Sequence, residues 1–453
     1  MHSAETKTKR GAKVPLNTSA VGPRFGATKL AAAATRGAMA VAVLSAWLLI
    51  AARPAQAQIE TVLHNFGSTT SSPYSGLTPD GAGNFYGTTF AGGTGHNPGH
   101  GTVFELSPDG SGGWNEATLY SFCSALNCAD GSGPLSNVIL DSMGNLYGTT
   151  TSGGAHGAGV VFELSLFGET WEEAVLYSFC SLSGCADGAN PASGLIMDSA
   201  GNLYGTTSVG VFELSPSGPG FTEQAIYQPA DGGVVGGLTM DSFENIFGAT
   251  DSTVFELIPV FIVAPNDPVS WTGTVIHTFT GSPKDGSGLK SGPVFDSAEN
   301  LYGVTSSGGN GFGVLYQLIR PFQPNGTWKE KVRFSFGKCN KGPCNPQGLV
   351  LDANDNIFGS YPGDGKTHPG AIFEFSIPNG KDWYKETILW TFNGTDGAFP
   401  SGNLILDNQG NIFGTTSAGG PAYSTQCGTG GSCGYGVAFE IGTQLFGLDA
   451  RQH

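Results

Sequence analysis

Basic residues are scarce in most of this chain. Of the 20 Lys and Arg residues among 453, eight lie in the first 57 positions. Beyond residue 57 the chain keeps 12 basic against 35 acidic residues, a formal net charge of −23. A surface of that sign repels phosphate backbones and anionic lipid headgroups. We therefore expect no nucleic-acid partner and no role at a membrane surface.

Long apolar runs are also few, and the longest lies near the N-terminus at residues 38–52. Basic residues precede it, and Ala55-Gln56-Ala57 then offers the small residues that a signal peptidase recognises. The run is shorter than the roughly 20 residues that a membrane-spanning helix needs. We interpret residues 1–57 as a secretory signal peptide with a long basic n-region. The protein is then secreted, extracellular or periplasmic, with no membrane insertion after cleavage; retention of the signal as an anchor is the alternative.

Beyond residue 57 the sequence shows no helical periodicity with capping residues. It shows a repeated sequence motif instead. Gly-Asn-Phe-Tyr-Gly-Thr-Thr at 83–89 returns six more times with variation, at 144–150, 201–207, 244–250, 299–305, 355–361 and 410–416. Each repeat contains four short strand-like pieces bounded by Gly, Pro, Asp or Ser; in the first repeat they lie at 75–80, 84–89, 102–107 and 117–122. The pattern indicates an all-β tandem-repeat protein.

Seven units of four antiparallel strands predict a seven-bladed β-propeller over residues 58–443, with a tail at 444–453. The last repeat stops after its third strand. The segment 61–66, near the other end of the propeller, matches the fourth-strand series of the other repeats. We therefore predict that this N-terminal strand completes the last blade and closes the ring, three strands plus one.

The Gly-Asn-Leu-Tyr-Gly-Thr-Thr and Val-Phe-Glu-Leu-Ser phrases occur together, in register, over roughly residues 59–443. In this the chain resembles the GloVer tandem-repeat proteins, exported bacterial proteins of the choice-of-anchor group. It is similar, more loosely, to NHL and two-component-regulator propeller repeats. The resemblance implies the propeller fold and export, and it implies no particular activity.

The eight cysteines form four close pairs, which favours disulfide bonds within single loops of an exported chain. The pairs are Cys123 with Cys128, Cys180 with Cys185, Cys339 with Cys344, and Cys427 with Cys433. Zinc is the alternative, since four residues between two thiols is a tolerable ligand spacing. We expect disulfides, no metal and no other cofactor.

The turn after each first strand begins with Asp, and a Gly precedes the Asn of the repeated phrase in four repeats. Such a Gly suits a hairpin that needs one residue at positive φ. Glu244, Glu299 and Asp355 replace it in the other three. We expect those turns either to be strained or to adopt another type.

Long Gly-rich loops join the second and third strands, on the same face of a propeller as the connections between blades. Variable loops on a rigid scaffold are common binding sites, so we predict that this face binds the ligand. Its candidate residues are His96, His100, His156, Asp364, His368, Tyr423 and Tyr435. A metal site built from several of these histidines with Asp364 is the alternative. Scattered loop histidines are more often simply solvated.

A carboxylate recurs on the third strand, at Glu105, Glu163, Glu213, Glu256, Glu374 and Glu440, with Gln317 in the fifth repeat. Paired carboxylates hydrolyse glycosides. One residue per blade at a fixed position is more typical of a structural hydrogen-bond ring, so we predict no catalytic residues.

These observations together predict a monomeric, non-catalytic propeller that binds an extracellular glycan or protein. The alternative is an extracellular polysaccharide lyase or hydrolase on the same scaffold, because fold alone does not decide function. Few residues suit such a site, since Arg320 and Arg333 are the only arginines between Arg53 and Arg451.

Overall fold

The computed structural model describes residues 58–94, 96–260, 270–281, 285–323, 326–337, 346–363, 368–378, 383–424 and 433–443. The predicted signal at 1–57, the tail at 444–453, and Asp364, Cys339, Cys344 and Cys427 lie outside the described residues. Within these ranges, no helix combines the length and the apolar character that a membrane crossing requires.

The described chain forms a ring of seven four-stranded antiparallel blades, which confirms the predicted fold. In pairing order, the strands of blades 1 to 3 are Thr78–Pro79, Phe85–Thr89, Thr102–Pro108 and Trp114–Ser121; Ile139–Leu140, Leu146–Thr150, Val160–Phe167 and Thr170–Ser178; and Ile196–Met197, Leu203–Thr207, Gly210–Ser217 and Gly220–Tyr227. Those of blade 4 are Val234–Met240, Ile246–Thr250, Thr253–Val260 and Ser270–Thr278.

The remaining blades follow the same order. Blade 5 contains Leu301–Gly308, Val314–Ile319 and Lys329–Ser335, and its first strand is split into Gly286–Leu289 and Val294–Phe295. Blade 6 contains Gln347–Leu351, Ile357–Tyr361, Ala371–Ser376 and Lys385–Thr391, and blade 7 contains Ala398–Leu406, Ile412–Ala418, Val437–Thr443 and Gln58–Asn65. Thr70–Ser71 pairs with Ala91–Gly92 beside blade 1, and Leu126–Cys128 and Ser183–Cys185 are short 3-10 turns.

Strand exchange closes the ring, as the ragged ends of the repeat series predict. Gln58–Asn65 pairs antiparallel with Val437–Thr443 and so supplies the fourth strand of blade 7. The rings of Phe413 in blade 7 and Phe85 in blade 1 pack with centroids 4.8 Å apart. Across the same seam, the hydroxyl of Thr415 donates a hydrogen bond to the carbonyl of Ser75.

The second Gly of the repeated phrase makes room for an aromatic ring in every blade. A Cβ atom added to Gly87 would lie 2.5 Å from Cζ of Phe104, and one added to Gly205 would lie 2.6 Å from Cζ of Phe212. The other pairs are Gly148 with Phe162, Gly248 with Phe255, Gly303 with Tyr316, Gly359 with Phe373, and Gly414 with Phe439. All seven rings are buried. Because each ring lies directly against the second strand, any larger residue there would displace it.

In blades 1, 2 and 7 the first Thr of the phrase connects neighbouring blades. Its hydroxyl donates to a main-chain carbonyl at the start of the next blade, from Thr88 to Ser136 at 2.8 Å and from Thr149 to Ser193 at 3.3 Å. These hydrogen bonds are buried, where an unpaired carbonyl would be costly. The phrase Gly-Thr-Thr therefore serves packing inside one blade and hydrogen bonding to the next.

The turns after the first strands keep one conformation whether or not they contain Gly. Gly144 and Gly201 have φ values of 87° and 86°, while Glu244, Glu299 and Asp355 have φ values of 63°, 59° and 59°. The left-handed region costs a residue with a Cβ atom roughly 1 kcal/mol. The three turns without Gly therefore keep the same turn type, and their backbone is strained; this is the first of the two expectations.

Hydrogen bonds to the preceding blade offset that strain. Ser199 of blade 3 donates to Glu244 Oε1 at 2.7 Å, and Ser242 of blade 4 donates to Glu299 Oε1 at 3.1 Å. Ser297 of blade 5 donates through its hydroxyl to Asp355 Oδ2 at 2.8 Å and through its backbone amide to Oδ1 at 2.9 Å. Each replacement of Gly thus adds a contact between two blades.

Carboxyl groups also meet in pairs at the outer ends of four seams. Glu60, Glu173, Glu223 and Glu330 lie on fourth strands, and each has an Oε1 atom that is buried without a hydrogen-bond partner. Burial, followed by repulsion from Asp130, raises the pKa of Glu173 to about 8. The same two causes raise the pKa values of the other three to about 7, the aspartates being Asp396, Asp187 and Asp285.

The glycine slot gives a first prediction. Gly205→Ala should destabilise the protein by roughly 1 to 3 kcal/mol, because its methyl group overlaps the buried ring of Phe212. Gly220→Ala, in the same blade, is the matched control, since a Cβ atom there meets nothing within 4 Å. Urea unfolding of both variants measures the difference. Equal stabilities of the two variants would show that the ring does not occupy the slot tightly.

The carboxyl pairs give a second prediction, a loss of stability as pH rises. The glutamates bind protons more tightly in the folded than in the unfolded protein, because their pKa values lie above 4.5 in the fold. Their contribution is therefore complete below about pH 4.5 and lost as pH rises through 7 to 8. After allowance for solvent screening we expect roughly 1 kcal/mol per site.

Thermal unfolding at pH 5 and pH 8.5 tests this dependence, with Glu173→Gln as the comparison. Asp187 and Asp285 do not interfere, because hydrogen bonds outweigh burial and hold their pKa values below 3.8, so they titrate below this window. The variant should lose less stability between the two pH values than the unchanged protein. An identical loss in both would contradict the assignment.

Candidate functional site

The predicted binding face, which we name the loop face, carries loops from neighbouring parts of the ring. His96 and His100 lie in blade 1, His156 in blade 2, His368 in blade 6, and Tyr423 and Tyr435 in blade 7. His96, His156 and Tyr435 are exposed, and the other three are partly buried. Asp364 lies outside the described residues. Because blade 7 adjoins blade 1, these candidates occupy one continuous arc of four blades.

Several of them hold loops together. His100 Nδ1 lies 2.8 Å from Ser132 Oγ, and the His100 carbonyl accepts a hydrogen bond from Gly133 N at 2.8 Å, which ties blade 1 to the connection that follows it. The ring of Tyr423 lies against Gly394. The carbonyl of Tyr435 accepts a hydrogen bond from Ser72 N at 2.9 Å. His96 and His156 are the candidates that face solvent for most of their surface.

Two of the four predicted disulfides lie within the described residues, and both are confirmed. Cys123 is bonded to Cys128 and Cys180 to Cys185, and Cys433 is also disulfide-bonded. In the part of the chain that the structure describes, one group of three potential metal ligands lies within 4.8 Å, namely His100, Cys123 and Cys128. Its two sulfur atoms are joined to each other, so they are not thiolate ligands.

Third-strand glutamates make contacts inside the blades and between them. The hydroxyl of Tyr147 lies 3.2 Å from Glu163 Oε1, and the indole N–H of Trp271 donates to Glu213 Oε2 at 2.8 Å. Trp271 belongs to blade 4 and Glu213 to blade 3. These contacts fit the structural hydrogen-bond role that their repetition predicts.

The opposite face carries the tight turns and the loops between third and fourth strands, and we name it the hairpin face. A cleft of about 730 Å³ opens there between blades 4 and 5. Its apolar walls include Phe243 and Phe322, which are 70% and 97% exposed, together with Ile258, Val275 and Trp328. Its polar lining residues are Asn245, Glu256, Thr274, Arg320, Gln323 and Thr327.

Arg320 organises one end of this cleft. Its guanidinium donates to Asp241 Oδ2 at 2.7 Å and to Glu299 Oε2 at 2.8 Å, so it joins blades 4 and 5. The side chain of Asp241 is fully buried. Arg320 also lies over the ring of Trp328, 5.9 Å from its centroid. A guanidinium suits this position, because it can bond two carboxylates while its flat face contacts an aromatic ring.

In blade 4 an arginine donates to the turn aspartate that a tyrosine contacts in blades 2 and 3. In blades 2 and 3 the hydroxyl groups of Tyr147 and Tyr204 donate to Asp141 and Asp198 at 3.2 and 2.9 Å. Blade 4 has Phe247 at the equivalent position, which has no hydroxyl group. Arg320 supplies the missing donor to the corresponding Asp241.

Glu256 is the third-strand carboxylate of blade 4 and lies in the cleft. Burial raises its pKa, while attraction to Arg320 and a hydrogen bond from Trp328 act in the opposite direction. The cleft is therefore lined by one carboxylate, Glu256, and by Arg320, which is itself paired with Asp241 and Glu299.

Sequence reasoning placed the binding surface on the loop face and did not identify this cleft. One available signal was loop length. Nine residues separate Ile319 from Lys329 in blade 5, whereas two separate Phe167 from Thr170 in blade 2. The scarcity of arginine, which singles out Arg320, was another.

The repeat geometry described above agrees with a known family. The model of the Gloeobacter/Verrucomicrobia repeat matches residues 50–256 and 259–444. The chain belongs to this family. Among the curated proteins no match was found.

Solved structures similar to this member of the Gloeobacter/Verrucomicrobia repeat family are distant in sequence. A protein from Lactobacillus plantarum is 12% identical with a TM-score of 0.48, over 73% of this chain and 88% of that one. A gluconolactonase from Xanthomonas campestris is 12% identical with a TM-score of 0.39, over 86% of this chain and 92% of that one. At such values these likenesses carry no information about activity.

The arginine contacts give a third prediction. Arg320→Met should destabilise the protein by roughly 2 to 4 kcal/mol, because it leaves the carboxylate of Asp241 buried without its cation. Adding Asp241→Asn should restore part of the loss, since the unpaired charge is then removed. Urea unfolding measures both variants, and Lys329→Met in the same blade is the control for loss of an exposed cation. A change below about 0.5 kcal/mol in Arg320→Met would refute the bridging role.

Proposed function

We propose that this protein is a secreted, non-catalytic propeller that binds an extracellular glycan in the cleft between blades 4 and 5. The observation that carries the proposal is the pair of exposed rings, Phe243 and Phe322, at a cleft with polar residues inside it. Large apolar side chains exposed beside a concave surface are typical of ligand sites. Secretion is supported by the N-terminal sequence pattern and by disulfides, which persist in oxidising compartments.

The chemistry of the cleft favours a sugar over a purely apolar ligand. Sugar rings present C–H groups on their faces and hydroxyl groups at their edges. The faces can pack on the rings of Phe243 and Phe322, and the hydroxyls can exchange hydrogen bonds with Asn245 and Gln323. The volume of about 730 Å³ falls within the range of small-molecule sites and suits a short oligosaccharide.

The arrangement of carboxylates favours binding over hydrolysis. Glycoside hydrolysis uses two carboxyl groups on either side of the scissile bond. Asp241 and Glu299 both accept hydrogen bonds from Arg320, and Asp241 is buried beneath it. The lining of the cleft has one carboxylate, Glu256, which itself interacts with Trp328.

A glycan array combined with a reducing-sugar assay gives the fourth prediction. Protein recovered from the medium of a secreting host should bind particular oligosaccharides without releasing sugar ends. The double variant Phe243→Ala, Phe322→Ala should bind at least tenfold more weakly, because both stacking surfaces are lost. Phe167→Ala removes a ring that is 78% exposed on blade 2, and should leave binding unchanged.

Other outcomes distinguish the alternatives. Sugar release that disappears in Glu256→Gln would favour the enzyme. Binding that survives the double variant but disappears when loop 417–436 is replaced by a short turn would return the ligand to the loop face. A protein that binds no glycan but captures a protein ligand through Phe243 and Phe322 would overturn the glycan assignment, and failure to reach the medium would contradict export.

A further inference from the structure

A second cavity lies inside the ring, where the first strands of four successive blades meet. It has a volume of about 320 Å³ and is lined from blades 4 to 7. First strands of four blades can share one cavity only around the axis of the ring, so this space is part of the central channel. Its lining residues are 236–239, 290–294, 347–349 and Asn403.

The four blades around this cavity differ from the other three. The first strands of blades 1 to 3 contain two residues each. The first strands of blades 4, 6 and 7 contain seven, five and nine, and that of blade 5 has two pieces of four and two residues. The channel is therefore built asymmetrically, although the outer strands of the ring are regular.

Irregular pairing coincides with the cavity. The register shifts between Val235 and Thr239 in blade 4, and between Gln347 and Leu349 in blade 6. In blade 5 the strand is interrupted between Leu289 and Val294, which places Lys290 and Ser291 on the cavity wall. Bulges leave residues unpaired and redirect side chains, and they are over-represented beside functional sites.

The wall has one charged side chain, and it is positive. Lys290 is the only Lys, Arg, Asp, Glu or His among the lining residues, and its neighbours there include Gln347 and Asn403. The ion pairs of the described residues involve His277 and Arg320 but not Lys290. In addition, the hydroxyl of Ser291 is buried in this wall without a hydrogen-bond partner.

From this arrangement we infer that the channel of blades 4 to 7 binds a small organic anion, with Lys290 paired to its carboxylate. A cation beside neutral amide and hydroxyl groups selects negative charge. Gln347 and Asn403 then bond the remaining polar atoms of the ligand. The volume sits at the lower end of small-molecule sites, which suits a single sugar acid or a di- or tricarboxylate rather than a polymer.

This inference concerns a different site from the glycan cleft and does not depend on it. Isothermal titration calorimetry at low ionic strength, with acetate, citrate and D-glucuronate as probes and D-glucose as the neutral analogue of glucuronate, provides the test. At least one of the larger anions should bind, while glucose should not. Binding should weaken as salt is added, because the carboxylate competes with other anions for an exposed ammonium group.

Variants locate the site. Lys290→Gln should weaken anion binding about tenfold or more, and Asn403→Asp should weaken it as well by adding a negative charge to the wall. Lys329→Gln, an exposed lysine on the fourth strand of blade 5, should bind as the unchanged protein does. Circular dichroism checks that each variant is folded. No binding of any anion, equal binding of glucose and glucuronate, or equal losses in Lys290→Gln and Lys329→Gln would each overturn the inference.

Discussion

The contact on which this structure depends is a glycine beneath an aromatic ring, made once in each blade. The ring comes from the third strand and the glycine from the second, and the space between them does not admit a Cβ atom. Because the seven rings are buried, each blade gains a rigid centre that fixes the register of its two central strands. In blades 1, 2 and 7 the threonine that follows the glycine also bonds to the next blade, so that adjacent residues serve packing within a blade and joining between blades.

The regular packing at the centre of each blade allows residues elsewhere in the blade to differ between repeats. Blade 4 has Phe247 where blades 2 and 3 have tyrosine, and Arg320 from blade 5 compensates across the seam. The same loop that delivers Arg320 also forms one wall of the aromatic cleft. One loop thus supplies both a hydrogen-bond donor to the buried Asp241 and a wall of the candidate ligand site.

Much of the fold follows from the sequence, because repetition multiplies a weak local signal. Seven copies of one phrase reveal the number of blades, and the match of 61–66 to the fourth-strand series reveals how the ring closes. The candidate sites were harder to predict from the sequence. Arg320 and Asp241 are 79 positions apart in the sequence, so no local pattern predicts their contact. Lys290 lies at the channel because the first strand of blade 5 is interrupted, and the sequence gives no sign of that interruption. His100 lies in a loop between second and third strands, as the repeat pattern predicts, but its contact with Ser132 depends on how the connection between blades folds back.

The three turns with Glu244, Glu299 and Asp355 have a consequence for how such a ring can change during evolution. Propellers grow and diversify by duplicating blades, which requires one blade to substitute for another. A glycine turn is self-sufficient and can be copied anywhere. A turn with an acidic residue at positive φ is tolerable beside the serine of the blade before it, as Glu244 is beside Ser199. Blades 4, 5 and 6 therefore each depend on the blade that precedes them, and exchange or duplication is easier for the blades that retained glycine.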